Sequence, residues 1–234
     1  MAKTKQKKEN EGIDLLESPD ALASRTEEFF NSKKNQNIVF GVGGVIALLV
    51  AAYIFYTNYQ NTRNQEAQEE MFQAVYYFEA DSLTKALNGD GNNYGFLDII
   101  ENYSGTDAAN LASYYTGAIY MNLQNYESAI RYFKDFSSDD MLVQSRAYSL
   151  TGDAYMELDD FDNAITQYRN AVDHEPNEEF TPVYLKKLAI AYEESGNLEQ
   201  AADAYGRIVE EYFNSSYKNE AIKQKARIEG LLAE

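Results

Sequence analysis

Side chains able to do covalent or metal chemistry are few in this chain and poorly spaced for it. There is no cysteine and a single histidine, His174. That removes thiol catalysis, disulfides, Cys-ligated zinc and multi-histidine metal sites, and any histidine-based triad would hang on one residue. His174 falls at the end of a helical pattern just before Pro176, where the helix dipole favours a cation, so its position reads as structural rather than catalytic. Carboxylates are abundant, yet general acid–base chemistry needs a pair isolated in a pocket. Here the acids follow turns and outer helical faces (Asp139, Asp140, Asp159, Asp160, Asp162, Glu178, Glu179, Glu193 and Glu194). Asn88, Asp90 and Asn92 alternate as at the start of a calcium loop, but Asn93 stands where the sharp-turn glycine belongs and Ile99 where the bidentate glutamate belongs. An EF-hand is rejected, and no glycine-rich phosphate loop with a following lysine occurs. The expectation is a protein without enzyme activity, cofactor, metal or small-molecule substrate.

The elements that carry these residues are legible in charge and periodicity. The chain has 234 residues, 20 basic against 38 acidic side chains and a net charge of −18, which disfavours nucleic acid because phosphates would be repelled. Residues 38–56 are uncharged and apolar, with tyrosines at one border (Tyr53, Tyr56, Tyr59). At 1.5 Å per residue such a stretch spans roughly 28 Å, the hydrocarbon thickness of a bilayer, so it reads as a transmembrane helix rather than a buried core helix. The preceding 37 residues hold seven acids, which fits a permanent anchor better than a cleaved signal. Arg25, Lys33 and Lys34 precede the span and only Arg63 closely follows it, so the positive-inside rule leaves the N-terminus cytoplasmic. Residues 1–37 are balanced, with seven bases and seven acids, so the 13 bases and 31 acids beyond the span carry the whole −18. Gly43, Ala47 and Ala51 recur every four residues and form a smooth stripe suited to close helix packing in the bilayer. Residues 24–31 begin like a capping box, with Ser24 and Glu27, and carry Phe29 and Phe30; they read either as a short amphipathic surface helix or as a tail with two incidental phenylalanines.

Three segments of the exported half align: 113–136, 148–171 and 185–208. They share a small residue, a tyrosine three later, an alanine nine later and an aromatic four later: Gly117, Tyr120, Ala129, Phe133; Gly152, Tyr155, Ala164, Tyr168; Ala189, Tyr192, Ala201, Tyr205. Small residues let two antiparallel helices touch while the aromatics plug the gap between neighbouring pairs. This is the tetratricopeptide pattern, and the expected fold is all-α, a single N-terminal transmembrane helix followed by a solenoid of antiparallel helix pairs. Upstream, residues 65–87 are apolar at helical spacing, 88–93 form a loop, and 96–103 form a short helix. A capping helix is expected over 217–232. The expected organisation is a cytoplasmic tail (1–37), the span (38–56), a linker helix with a divergent helical pair (57–108), three repeats (109–216) and the cap (217–234).

Such solenoids bind extended peptides or partner helices along the first helix of each pair. Positions recurring on that face and not consumed by packing are Tyr114, Ala118, Met121 and Asn122; Arg146, Ser149, Asp153 and Met156; Val183, Lys186, Ile190 and Glu193. This mixed strip names no particular ligand.

A segment with a phenylalanine pair (Phe29, Phe30), then a glycine-rich single anchor, then a Gln/Glu-rich helix leading into divergent tetratricopeptide repeats, resembles the YfgM family of ancillary Sec-translocon subunits. The resemblance implies a bacterial inner-membrane protein with a periplasmic repeat domain. Its implied partners are a SecYEG-type channel and a membrane-anchored periplasmic chaperone of the prolyl-isomerase type. The alternative is a scaffold for another cell-envelope complex. In a eukaryote the same topology would face the endoplasmic reticulum lumen and make Asn102 and Asn214 glycosylation acceptors.

Overall fold

The computed structural model describes residues 32–233, and the amphipathic segment expected at 24–31 lies outside them. Among the described residues there are ten helices and no strand. In chain order they are α1 (Lys33–Glu79), α2 (Leu83–Asn88), α3 (Phe96–Asn102), α4 (Asp107–Asn122), α5 (Tyr126–Asp135), α6 (Met141–Glu157), α7 (Phe161–Asp173), α8 (Thr181–Glu194), α9 (Leu198–Glu211) and α10 (Lys218–Leu232). The chain divides into two compact units, one ending at Tyr59 and the other beginning at Gln60.

In the first unit α1 carries the apolar stretch. From Asn35 the helix contains an 18-residue window of mean hydropathy 2.6, none of it buried, so it is long and apolar enough to cross a bilayer. Gly43, Ala47 and Ala51 are exposed on it, and a Cβ added at Gly43 would meet no atom of the described residues outside its own helix turn within 4 Å.

The second unit is built from helix pairs with one recurring turn. Gln124, Asp159 and Gly196 take left-handed φ of 56°, 55° and 77°. The amides of the residues that follow, Asn125, Asp160 and Asn197, donate to the carbonyls of Tyr120, Tyr155 and Tyr192 at 2.9, 3.0 and 2.8 Å. Each first helix is thereby closed by a Schellman-type bond. The same residues start the second helix: Asn125 Oδ1 accepts from Ser128 N and Asp160 Oδ1 from Asn163 N. Inside each pair the framework does what its residue sizes dictate. Phe133 lies against Gly117 and Tyr168 against Gly152 so closely that a Cβ on either glycine would stand 2.7 or 2.6 Å from the ring. Ala129, Ala164 and Ala201 are fully buried.

A further pair precedes these three. The expected single helix over 65–87 is broken, because Asp81 adopts a φ of 54° and Ser82 N donates to Tyr77 O at 2.8 Å, the same closing bond as in the repeats. Ala74, Tyr77 and Ala86 then match Gly117, Tyr120 and Ala129 in register, and both alanines are fully buried. The match fails at the closing aromatic, whose place Asp90 occupies. Phe96 of α3 is buried in this cluster instead, stacked on Tyr115 with ring centroids 5.0 Å apart.

The far end is covered by α10, whose Ala221 and Ile228 are buried in the cluster of α8 and α9. Two further bonds tie the pairs together: Lys134 Nζ donates to Tyr155 OH and Arg169 Nη2 to Tyr192 OH, both at 2.7 Å. Each basic residue directly follows the packed aromatic of its second helix and reaches the framework tyrosine of the next pair.

Candidate protein-interaction surface

The first helices of the three pairs, α4, α6 and α8, line two adjoining hollows. The larger, about 550 Å³, is walled by Leu111, Tyr114, Leu142, Arg146, Phe180 and Tyr184 among others, with Lys187 at one end. The smaller, about 350 Å³, is lined by Met121, Asp153, Met156, Glu157, Tyr168 and Ile190, and it shares Lys187. Leu142 and Phe180 keep 43% and 40% of their surface exposed, so apolar side chains stand open to a partner at the rim.

Between the hollows sits a polar network. Lys187 Nζ donates to Asp153 Oδ2 at 2.6 Å, to Oδ1 at 2.9 Å and to Ser149 Oγ at 3.1 Å. Tyr168 OH donates to Asp153 Oδ1 at 2.7 Å. Burial, reinforced by the Asp153 charge, pushes the Tyr168 hydroxyl far above the ordinary tyrosine range, so it stays a donor. One pair further on the arrangement recurs: Tyr205 OH donates to Glu193, and Arg227 of α10 donates to the other oxygen of the same carboxylate. Burial and Glu193 likewise raise the Tyr205 hydroxyl. Each unit of this ladder joins the second helix of one pair, its first helix and the first helix of the next element.

The residues expected on the binding face divide accordingly. Tyr114, Arg146 and Ser149 lie on the larger hollow, and Met121, Asp153, Met156 and Ile190 on the smaller. Asn122 lies outside both and bonds back to Ala118 O within its own helix. Lys186 faces α10, donating to Glu220 Oε2 at 2.9 Å and standing 5.4 Å from the Tyr217 ring. Glu193 is engaged by Tyr205 and Arg227. Sequence reasoning missed Lys187, Tyr184, Phe180 and Leu142. The available signal was the series 180, 184, 187, 190, which has helical spacing as good as that of 183, 186, 190, 193 but lies about 100° round α8.

Arg146 is electrostatically the odd member. It belongs to none of the ion pairs among the described residues, and no aspartate or glutamate lines the larger hollow. Burial raises the hydroxyls of Tyr114 and Tyr184, and the Arg146 guanidinium beside them partly offsets that rise.

A third hollow, of about 820 Å³, opens between the start of α4 and the loop after α5. Asn110 pins that loop, with Nδ2 donating to Ser137 O at 2.6 Å and Oδ1 accepting from Ser137 N at 3.0 Å. It is polar and acidic, bordered by Asp107, Asp135 and Asp139.

Comparison with known proteins agrees with the geometry. Over 100 residues the chain is 31% identical to a protein of Guillardia theta named "Uncharacterized protein ycf37", a match covering 41% of this chain and 54% of the relative. The chain thus spans about half the length of the curated relative it matches. Residues 149–216, which run from α6 to just past α9, match the family model described as tetratricopeptide repeat. With its helix pairs in one register and two of them matched by the family model, the second unit has a tetratricopeptide-like repeat fold.

Proposed function

We propose that this protein is a membrane-tethered adaptor of the protein-export machinery. The apolar part of α1 holds it in a bacterial inner membrane beside a SecYEG-type channel, with the N-terminus cytoplasmic. The repeats then lie in the periplasm, where they receive a membrane-anchored chaperone or the emerging secreted chain. The observation that carries this reading is the pairing of an exposed helix with a long uncharged apolar stretch and a repeat domain whose first helices line an open, mainly apolar hollow. The order of anchor, linker helix and repeats supports it, as does the resemblance to ancillary translocon subunits.

The stripe Gly43, Ala47 and Ala51 is the surface assigned to the channel. A Cβ added at Gly43 meets nothing among the described residues outside its own helix turn, so loss of a partner on enlarging this position supports a contact there. The test is affinity purification of the full-length protein from native membranes in mild detergent, with an anchor-swapped control and the double variant Gly43→Leu, Ala47→Leu. Recovery of the channel and a periplasmic chaperone, lost on swapping the anchor and weakened in the double variant, is the expected result. Recovery of another envelope complex without the channel would overturn the reading in favour of a scaffold for that complex.

A further inference from the structure

We infer that the larger of the two hollows lined by α4, α6 and α8 selects partner segments in which a single carboxylate is flanked by apolar side chains, with Arg146 as the residue that reads the carboxylate. The inference rests on the adaptor reading above and specifies what the adaptor holds.

The argument begins with charge. Residues from Gln60 onward include only 13 bases against 31 acids, and acids border the smaller hollow (Asp153, Glu157) and the third (Asp107, Asp135, Asp139). The larger hollow has two cations and no acid in its lining. Its two cations are not equivalent. Lys187 is neutralised by Asp153 at 2.6 Å, whereas Arg146 has no carboxylate partner among the described residues. A guanidinium presents a planar fork suited to a carboxylate, so the hollow supplies the cation and the ligand supplies the anion.

Shape and polarity define the rest of the ligand. Leu111, Leu142, Tyr114, Tyr184 and Phe180 surround Arg146, so groups on either side of the bound carboxylate enter apolar surroundings. The open rim at Leu142 and Phe180 admits a continuing chain rather than an enclosed small molecule. The field of the whole domain excludes a strongly acidic partner, because it repels net negative charge at long range. The occupant is therefore a polypeptide segment that is nearly neutral overall, with one acidic side chain between apolar ones.

Two dye-labelled peptides test this on the full-length protein in detergent micelles by fluorescence polarisation. One has a Leu-Phe-Glu-Leu core and a distal lysine that makes it neutral; the other replaces Glu by Gln and is therefore positive. The long-range field favours the Gln peptide, so a preference for Glu must come from the hollow. The expected result is that the Glu peptide binds about ten-fold more tightly. Arg146→Gln removes the preference, and Arg146→Lys retains part of it. Leu142→Asp, at an exposed rim position, weakens the Glu peptide more than the Gln peptide. Circular dichroism of each variant checks that the helices are intact. Failure of the wild type to bind either peptide, absence of a Glu preference, or a preference that survives Arg146→Gln each overturns the inference. Co-purification of the channel with the wild type separates the two readings. Recovery of the channel by a wild type that shows no peptide preference leaves the adaptor reading standing and sinks this one; peptide preference without the channel does the reverse.

Discussion

Hydrogen bonds from four groups converge on the carboxylate of Asp90: Tyr77 OH at 2.6 Å, Asn92 N at 2.9 Å, Asn93 N at 2.8 Å and Asn93 Nδ2 at 3.2 Å. The alternating polar side chains of this loop, whose composition suggests a cation site, thus serve to fold the loop around one anion. The Tyr77 hydroxyl first, then the Asn92 and Asn93 amides, hold the Asp90 carboxyl well below the usual carboxylate range, and Asp90 in turn raises Tyr77. A folded-state value depressed below the unfolded one contributes stability that is fully present above the unfolded value, about 4, and is lost as pH falls towards the folded one. Asn at this position keeps an acceptor oxygen but no charge. The melting temperature of Asp90→Asn should therefore lie below that of the wild type at neutral pH, with the gap closing as pH falls below about 4. A gap independent of pH, measured by circular dichroism melts across this range, would mean that the loop is held by shape rather than by charge.

At the scale of elements the recurring turn sets how each pair folds back, and its three versions are not equally relaxed. Gln124 and Asp159 adopt a left-handed φ that Gly196 adopts without steric cost. Gln124→Gly should leave the closing bond from Asn125 to Tyr120 in place and stabilise the domain by up to about 1 kcal/mol, while Gly196→Ala should destabilise it by about 1 kcal/mol. Urea melts of the two variants check both signs, and equal effects of the same sign would remove the turn from the account. Much of this architecture was legible beforehand, because small residue, tyrosine, alanine and aromatic recur at fixed separations and each has a packing reason. The preceding pair was expected only as a divergent helical pair within 57–108, and its register was not legible. Its Tyr77 stands 43 residues before Tyr120, whereas the other framework tyrosines are 35 and 37 apart, and Asp90 replaces the aromatic that would have betrayed it. Periodicity places a helix face only to within about a residue, and that residue decides between Lys186, tied to Glu220, and Lys187, tied to Asp153. Which of them meets the hollow depends on where α6 and α10 pack, which no spacing within α8 reveals. Arg146 was legible as a member of the strip, but its lack of a carboxylate neighbour was not, since that is a property of everything folded around it.

Over the whole molecule, charge opposes compaction. The part from Gln60 onward carries 31 acids and 13 bases. Its ion pairs among the described residues, such as Arg207 with Glu211 and Lys225 with Glu229 along single helices, are partly exposed and individually worth little. With 31 acids against 13 bases on one domain, net repulsion is expected to outweigh the attraction of the few pairs. Screening tests which dominates. Raising ionic strength from about 0.01 M to about 0.15 M shortens the screening length from about 30 Å to about 8 Å, which weakens repulsion between distant surface charges more than attraction within a close pair. The melting temperature of the repeat domain should therefore rise with salt over this range by a few degrees, at about 2 to 4 °C per kcal/mol for a domain of this size. A fall would mean that the ladder through Asp153 and Glu193, and not the unpaired acids, governs the electrostatic energy. The same surplus bears on where the domain works. An acidic solenoid is repelled by anionic lipid headgroups, so under the adaptor reading it is held near the membrane by its anchor alone.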